Sequence, residues 1–376
     1  MSSLPSVFIV SSSASIGGAE IQLSYLLNAL SKFKIHLLVL DQSTFLDELI
    51  FHKNLTIYRP DFLRNTRYLA IFSSLLHFIR LYRSEVTSES FLLGWLAKGN
   101  IFVLLVQLLS FVSLRTPVFW THRSSFFLWQ SAPSQFLLFT SLFFAALRIY
   151  PITHIANSQS VFSPLIVNSL LSGRKVVIHN GFDFILRFNA TFSEKQKKCL
   201  AVLQRKLLIF FPARFSPEKG HNLLFKALKF FKHDFHLSLV GKGCSSLNKI
   251  LMSQVDSYRE KVTLYDSHVS LRDYYMSAHF SILMSSSESF PNVLVESMAY
   301  FTPCISTDVG SCKEIVGECG LVVPKRTVNS VLETLNLAYH CSQDLNKYSK
   351  LSLDARERVV SCYPVDLMHS SYLDLF

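Results

Sequence analysis

Two glutamates, Glu288 and Glu296, frame the part of the chain with the strongest chemical signal. The apolar run 279–284 predicts a buried strand, and Pro291 followed by the apolar residues 293–301 predicts a helix after it. In an open α/β sheet, ligands bind at such strand-to-helix turns, beyond the carboxyl ends of the strands. The spacing therefore places two carboxylates where ligand chemistry is expected.

We do not expect these two carboxylates to form a close acid/base pair. Pro291 favours extended backbone just before it, and Glu296 should lie about one turn inside the helix. Two separate hydroxyl-rich groups on either side of an anionic group would match this arrangement. A nucleotide sugar has this form, with a sugar at one end, a ribose at the other and a diphosphate between them.

A second strand-to-helix loop carries two cations, Arg214 and Lys219, and Pro217 and Gly220 mark its turn. An arginine can bind phosphate oxygens through parallel N–H groups, and a lysine supplies a compact charge. Together they would stabilise charge on a departing diphosphate. The alternative is a pair of exposed surface cations.

The first predicted strand ends in a turn that contains Gly17 and Gly18, directly before a helix. Glycine lets the backbone approach a ligand closely, and the free amides of a helix N-terminus favour anions. A plain tight turn is the alternative. The dinucleotide fingerprint G-x-G-x-x-G is absent, and its nearest approach, Gly241–Ser246, lacks the third glycine, which argues against a dinucleotide site.

His122 ends another predicted strand, where it could contact a sugar hydroxyl or a developing charge. A structural histidine with satisfied hydrogen bonds is the alternative. Gly310 lies in a further strand-to-helix loop, 307–314, and could permit a close backbone approach there. No His, Asp or Glu cluster has metal-ligand spacing, and no G-x-S-x-G elbow is present. Because Arg214 and Lys219 could replace the electrostatic role of a metal, we expect no essential metal and no cofactor.

The composition indicates a folded, basic protein that is rich in aromatic residues. Hydrophobic residues make up 49% of the 376 residues, charged residues 17%, and the net charge is +11. Residues 1–190 hold 15 Lys and Arg against 8 Asp and Glu. Nucleic acid, an anionic membrane or a phosphorylated ligand would suit this charge, but nucleic-acid motifs are missing. We expect a phosphorylated ligand and peripheral membrane contact through the N-terminal half; scattered solvated charge is the alternative.

The apolar runs 101–114 and 136–147 are shorter than the roughly 18 residues of a spanning helix. We interpret them as buried or interfacial helices. The N-terminus lacks the basic segment and long apolar run of a signal peptide, so we expect a cytoplasmic protein that can lie at the inner face of a membrane. The seven cysteines are odd in number and form no C-x-x-C pair, which supports neither disulfides nor zinc.

Strands and helices alternate along the chain, which predicts α/β architecture with parallel, doubly wound sheets. We expect an N-terminal Rossmann-like domain over 1–187, a polar linker over 188–200 and a C-terminal Rossmann-like domain over 201–355. A helical tail over 356–376 would pack back on the N-terminal domain. The two domains would face each other across a cleft between the carboxyl ends of their strands.

Together, these motifs resemble those of the retaining glycosyltransferases of family 4, or glycosyl transferases group 1, which have the two-domain GT-B fold. The resemblance covers most of the chain, and its C-terminal motifs keep the order and spacing of the family. Its N-terminal motifs are weaker, as in a domain that binds a variable acceptor. The motifs are Gly17–Glu20, His122, Asn157-Ser158, His179–Asp183, Arg214–Gly220, Glu288–Glu296, Thr302-Pro303 and Thr307–Gly310.

The resemblance implies a metal-independent, hexosyltransferase-like enzyme. It would move a sugar from a nucleotide-sugar donor to a glycan or lipid-linked glycan in polysaccharide or glycolipid assembly, with retention of anomeric configuration. The implied roles are the donor diphosphate for Arg214 and Lys219, the transferred sugar for Glu288 and His122, the ribose for Glu296, the donor phosphates for Gly17 and Gly18, and the walls around sugar and phosphate for Phe290, Pro291, Asn292 and Val293.

Three positions depart from the family pattern. Ser289 stands where glycine is common, Tyr300-Phe301 replaces a small pair before Thr-Pro, and Ser311–Lys313 replaces Gly-x-Pro. None of these changes removes an ionic group with an implied catalytic role. Two other functions remain open, a nucleotide-sugar epimerase of the same fold and a non-catalytic nucleotide-sugar-binding protein.

Overall fold

A computed structural model of the chain describes residues 4–14, 17–50, 52–62, 67–110, 116–123, 151–163, 173–200, 206–266 and 270–376. The predicted apolar run 136–147 lies outside these residues. The chain divides into two compact units. The first comprises Met1–Gly181 and Val365–Phe376, and the second comprises Phe182–Pro364.

The first unit contains a seven-stranded parallel sheet in the order β3-β2-β1-β4-β5-β6-β7. Its strands are β1 (Ser6–Ser11), β2 (Lys34–Val39), β3 (Leu55–Tyr58), β4 (Phe91–Trp95), β5 (Val118–His122), β6 (Ile152–Ala156) and β7 (Lys175–Val177). Its described helices are Gly18–Ala29, Arg67–Glu85, Leu96–Ser110 and Val365–Leu373, with 3-10 turns at Phe45–Leu49 and Gln159–Val161.

Successive residues of β1 point into two different cores, one on each face of this sheet. Val7 and Ile9 pack in the core that also contains residues of the helices Gly18–Ala29 and Val365–Leu373. Phe8 lies on the other face, in the core with residues of Arg67–Glu85 and Leu96–Ser110. Burial on both faces explains why this strand is an unbroken apolar run.

The second unit contains a six-stranded parallel sheet in the order β10-β9-β8-β11-β12-β13. Its strands are β8 (Lys206–Pro212), β9 (Asp234–Val240), β10 (Val262–Tyr265), β11 (Phe280–Leu283), β12 (Cys304–Thr307) and β13 (Leu321–Val323). Its helices are Phe192–Leu200, His221–Leu228, Lys249–Val255, Leu271–Ser277, Asn292–Ala299, Cys312–Val316, Val328–Gln343 and Leu345–Cys362, with 3-10 turns at Pro217–Lys219 and Asp256–Lys261.

Two parallel sheets with this strand order confirm the predicted α/β class with Rossmann-like units. The predicted run 101–114 overlaps the helix Leu96–Ser110, of which Val103, Leu104 and Val106 are buried. Among the described residues, none of the helices has both the length and the apolar character needed to cross a membrane.

The predicted linker 188–200 is wrong, because most of it is the helix Phe192–Leu200 within the second unit. Its lysines suggested a solvated segment, but the side chain of Lys195 is 1% exposed and anchors the helix. The boundaries differ as well. The first unit ends at Gly181 rather than at residue 187, and the segment that returns to it begins at Val365 rather than at residue 356.

Candidate active site

The loops that follow β8 and β11 meet at the carboxyl ends of these two paired strands. Lys219 Nζ donates to Glu288 Oε1 at 2.6 Å, and Ser285 Oγ donates to the same carboxylate oxygen at 2.7 Å. The side chains of Lys219 and Glu288 are 22% and 13% exposed. The structure therefore brings together two of the predicted site residues as a partly buried ion pair.

Backbone contacts fix the loop that carries Lys219. Gly220 has φ +76°, and a Cβ there would lie 2.0 Å from Met284 O, so only glycine fits. Ser286 N also donates to Glu218 O at 2.8 Å. The loops after β8 and β11 are thus in direct contact, and the ammonium of Lys219 is aimed by both.

Arg214, the other cation of this loop, is 64% exposed and donates to Glu218 Oε1 at 2.8 Å. An exposed pair of this kind contributes little to stability and exchanges readily. Each of the two predicted cations thus has a carboxylate partner in the same unit. An incoming diphosphate would bring negative charge to a cluster in which two cations and two carboxylates balance.

The helix Asn292–Ala299 begins beside this cluster, and Pro291 precedes it as its N-cap residue. Asn292 and Val293 form its first turn and are partly exposed. They form a helix N-terminus, whose dipole favours an anion. Phe290 is buried against Tyr363, with ring centroids 5.3 Å apart, and so holds the start of the helix against the core.

Glu296 lies one turn into that helix and has a different partner from Glu288. Tyr275 Oη lies 3.4 Å from Glu296 Oε2, and the carboxyl is partly buried. Burial raises the pKa of Glu296, while the charge of Arg187 and the Tyr275 hydrogen bond oppose that rise. The two glutamates therefore occupy separate environments, as their spacing predicts.

The loop at Ser289 is held by the neighbouring strand-to-helix loop. Gly310 has φ +58°, and a Cβ there would lie 2.3 Å from Glu288 O and 2.7 Å from Ser289 O. Ser311 N donates to Ser289 O at 2.9 Å. Gly310 thus lies directly against the backbone that carries Glu288. This contact holds the backbone at Ser289, the position where the family that the motifs resemble commonly has glycine.

Replacing Gly310 with alanine should lower the activity of the site by about tenfold, because the added methyl group must displace the backbone of Glu288 or Ser289. Initial rates of the sugar transfer that the sequence resemblance implies, measured with folded protein, would test this. An Asp308→Ala variant in the same loop serves as control. Equal rates for the wild type and the Gly310→Ala variant would contradict the positioning role of this contact.

The departure at Tyr300-Phe301 is accommodated by aromatic packing. Tyr300 stacks on Tyr275 with ring centroids 5.7 Å apart, and its hydroxyl donates to Arg187 O at 3.0 Å. Phe301 adopts φ +58°, a conformation that favours glycine, and the Arg356 guanidinium lies 4.7 Å from its ring centroid. Tyr300 thus packs against Tyr275, which contacts Glu296.

The predicted residues of the first unit lie at the carboxyl end of its sheet. His122 ends β5 and is 8% exposed, with its Nε2 3.1 Å from His154 Nδ1. Burial, with a smaller contribution from His154, lowers the pKa of His122 to about 3. The imidazole is therefore neutral near pH 7 and can donate or accept a hydrogen bond without carrying charge.

Gly17 is the N-cap residue of the helix Gly18–Ala29, and its backbone is extended at φ −170°. A Cβ on Gly17 would lie 2.4 Å from Glu20 Oε2, so a carboxylate fills the space beside it. Burial raises the pKa of Glu20. The predicted approach of a phosphate to Gly17 and Gly18 would therefore also bring it close to Glu20.

Several residues that support the site were missed at the level of sequence. These residues are Glu218, Ser285 and Tyr275. Glu218 contacts Arg214, Ser285 contacts Glu288, and Tyr275 contacts Glu296. Glu218 lies within the motif Arg214–Gly220, and Ser285 lies three residues before Glu288, so their proximity to predicted residues was a usable signal. Tyr275 lies in the helix Leu271–Ser277, outside every motif, so no sequence signal indicated its contact with Glu296. Within the described ranges, no group of three His, Cys, Asp or Glu residues could hold a metal ion.

The whole chain has the architecture of known glycosyltransferase structures. It aligns with the Anabaena HepE structure in complex with UDP and glucose at a TM-score of 0.77 and 18% identity, covering 99% of both chains. It aligns with the apo form of WaaB, a lipopolysaccharide outer core galactosyltransferase, at a TM-score of 0.71 and 13% identity, covering 99% of this chain and 100% of the other. The fold is GT-B.

Sequence comparison matches part of the chain to a family. The model of Glycosyl transferases group 1 matches residues 206–340. A Campylobacter jejuni protein, N-acetylgalactosamine-N,N'-diacetylbacillosaminyl-diphospho-undecaprenol 4-alpha-N-acetylgalactosaminyltransferase, is 27% identical over 183 residues, which are 48% of this chain and 48% of that protein. The alignment thus spans about half the length of this curated relative. The chain thus has the GT-B fold, and its residues 206–340 match the model of Glycosyl transferases group 1.

Proposed function

We propose that this protein is a retaining glycosyltransferase of family 4 that uses a nucleotide-sugar donor. The observation that carries the proposal is the Lys219–Glu288 pair, 2.6 Å apart, beside the N-terminus of the helix Asn292–Ala299. A cation and a helix N-terminus suit a diphosphate, and an adjacent carboxylate suits the hydroxyls of the sugar attached to it. Glu296 lies one turn further along and would bind the ribose.

In the proposed reaction, the bond between the anomeric carbon and the diphosphate oxygen breaks as an oxocarbenium-like sugar forms. Lys219 and Arg214 stabilise the negative charge that develops on the departing diphosphate. The acceptor hydroxyl attacks from the same face, and its proton passes to the departing phosphate oxygen. Because these cations supply electrostatic stabilisation, we propose that transfer needs no essential metal.

We propose a glycan or lipid-linked glycan as acceptor, in polysaccharide or glycolipid assembly, with the protein in the cytoplasm at a membrane surface. The name of the Campylobacter jejuni relative specifies a diphospho-undecaprenol-linked acceptor, and WaaB is named as a lipopolysaccharide galactosyltransferase. The HepE structures contain UDP, glucose or UDP-glucose. These names support a nucleotide-sugar donor and an acceptor of this class.

The experiment that tests the proposal is a thermal-shift screen of the full chain against nucleoside diphosphates and nucleotide sugars, followed by a transfer assay with the best ligand. A ligand at 100 times its Kd should raise the free energy of unfolding by about 2.7 kcal/mol. Transfer to a glycan acceptor with retained configuration is the expected outcome. Binding without transfer or donor breakdown would favour the non-catalytic alternative, and epimerised donor would favour an epimerase.

Replacing Glu296 with alanine should raise the KM for the donor by about 30-fold, because the charge-assisted hydrogen bonds to the ribose would be lost. The turnover number at saturating donor should change much less. Glu318→Ala provides a matched control, since Glu318 is an exposed carboxylate of the same unit. Donor binding by Glu296→Ala that equals wild-type binding would contradict the ribose assignment.

A further inference from the structure

We propose that the helix Arg67–Glu85, with its neighbour Leu96–Ser110, docks the first unit on the surface of a bilayer that contains anionic lipid. The two helices pack against each other on one face of the seven-stranded sheet. This inference goes beyond sugar transfer. It depends on the proposed lipid-linked acceptor for its purpose, but its test does not depend on catalysis.

Four large apolar side chains of the helix Arg67–Glu85 project into solvent. Tyr68 is 86% exposed, Leu69 58%, Phe72 54% and Leu76 37%. The residues of the same helix that pack on the sheet are a different set, which includes Leu75, Phe78 and Tyr82. A single exposed apolar residue is ordinary, but a cluster of this size marks a surface that binds something.

Two exposed cations, Arg80 and Arg83, continue the same side of the helix. The series Leu69, Phe72, Leu76, Arg80 and Arg83 has steps of three, four, four and three residues, which keeps its members on one helical face. We call this series the docking stripe. Its apolar and cationic parts are separated by about 12 Å along the axis, from Phe72 to Arg80.

No carboxylate opposes these cations along the helix. Its one acidic residue, Glu85, accepts from Lys34 Nζ at 2.6 Å and lies 3.0 Å from His36 Nε2, so it is engaged with β2. The sequence from 90 to 182 contains neither Asp nor Glu. Over this range the sequence therefore carries positive charge without compensating negative charge.

The neighbouring helix Leu96–Ser110 also combines exposed apolar side chains with positive charge and no carboxylate. Its only charged residue is Lys98, and Leu109 is exposed, while Phe102 and Leu105 are partly exposed. A helix of this kind lies in the interface of a membrane with its apolar side chains among the acyl chains and its cations among the headgroups. The combined surface of the two helices fits that environment.

Charge complementarity selects an anionic bilayer over other occupants. A second copy of the chain would place the same cations opposite one another, and like charges would oppose such a dimer. A nucleic acid would pair with the arginines but leave the apolar part of the docking stripe in contact with water. An anionic lipid surface satisfies both parts, and each cation near it adds attraction.

Co-sedimentation of the full chain with vesicles tests the proposal. At low salt, the protein should bind phosphatidylcholine vesicles that contain phosphatidylglycerol far more tightly than vesicles of phosphatidylcholine alone. The Phe72→Ser/Leu76→Ser variant should bind the anionic vesicles about 100-fold more weakly, because two apolar side chains no longer enter the bilayer. The Arg80→Gln/Arg83→Gln variant should lose about 25-fold at low salt and less at high salt.

Matched controls come from the other face of the same sheet. Leu367, in the helix Val365–Leu373, is 52% exposed, and Lys32 follows the helix Gly18–Ala29 and is exposed. Leu367→Ser and Lys32→Gln should bind anionic vesicles as the wild type does. Thermal unfolding of all four variants confirms that they are folded.

The proposal is overturned if the wild type fails to bind anionic vesicles at low salt, or if Leu367→Ser weakens binding as much as the Phe72→Ser/Leu76→Ser variant does. It is also overturned if the wild type forms a concentration-dependent dimer that Phe72→Ser abolishes, since the docking stripe would then serve a second copy. Donor-induced thermal shifts need no membrane, so they report separately on the proposed glycosyltransferase function.

Discussion

The Lys219→Ala variant should transfer sugar about 10³-fold more slowly than the wild type at saturating donor. Lys219 supplies the less exposed of the two cations in the loop after β8, and its ammonium lies 2.6 Å from Glu288 Oε1. As the diphosphate departs, negative charge develops on its oxygens. A positioned ammonium stabilises that charge in the transition state more than in the bound donor, so its loss should lower the turnover number.

Two further variants separate this effect from other consequences of the change. Lys226→Ala removes an exposed lysine from the following helix, His221–Leu228, and should leave transfer unchanged. Arg214→Ala should have a smaller effect, about tenfold, because Arg214 is 64% exposed and screened by water. Single-turnover rates measure the chemical step directly. Transfer by Lys219→Ala at a rate near that of the wild type would exclude the proposed role.

The second prediction concerns stability. Replacing Lys195 with methionine should lower the free energy of unfolding by about 3 kcal/mol. Lys195 is 1% exposed, and its Nζ donates to Tyr275 O at 3.0 Å, to Thr302 Oγ1 at 2.7 Å and to Ala278 O. Methionine has a similar volume but donates nothing, so these buried acceptors would lose a partner. Because the variant no longer buries a charged ammonium group, part of this loss in the free energy of unfolding is offset.

The same helix provides the control. Lys198 lies in Phe192–Leu200, is 40% exposed and pairs with Asp273 at the surface. Lys198→Met should change the free energy of unfolding by less than about 0.5 kcal/mol. Urea denaturation followed by fluorescence would measure both variants. Equal stability of Lys195→Met and the wild type would mean that the buried lysine is no more than a tolerated substitute for an apolar side chain.

Lys195 also links the second prediction to the site. Tyr275 accepts from Lys195 through its backbone and contacts Glu296 through its hydroxyl. Thr302, which follows the helix Asn292–Ala299, accepts from Lys195 and donates to Tyr275 O at 2.5 Å. One ammonium therefore fixes both the helix that bears Glu296 and the tyrosine that contacts it.

Sequence patterns located the interior strands well because these strands are apolar on both faces. The predicted strand 279–284 contains β11, and the strand predicted to end at His122 is β5; both are interior strands. The edge strands β3 and β13 were missed. Residues Leu55–Tyr58 of β3 are partly or largely exposed, and β13 has only three residues, so neither produces a clear apolar run.

The ionic groups of the candidate site were identified from motifs, but their pairing was not. Lys219 and Glu288 meet because β8 and β11 are neighbours in the sheet, and strand order depends on crossovers that a periodic pattern does not encode. The burial of Lys195 was missed for a related reason. A lysine in a polar segment indicates solvent exposure unless the backbone acceptors that surround it are known.

The return of the chain to its first unit has a consequence for how the protein is made. Phe182 N donates to Tyr363 O at 2.9 Å, and residues after Pro364 then supply Met368 and Tyr372 to the core of the first unit. Arg123 donates to Tyr372 Oη at 2.6 Å. During synthesis on a ribosome, all residues of the second unit are therefore present before those of the first. The core of the N-terminal sheet stays partly uncovered until the helix Val365–Leu373 has been made.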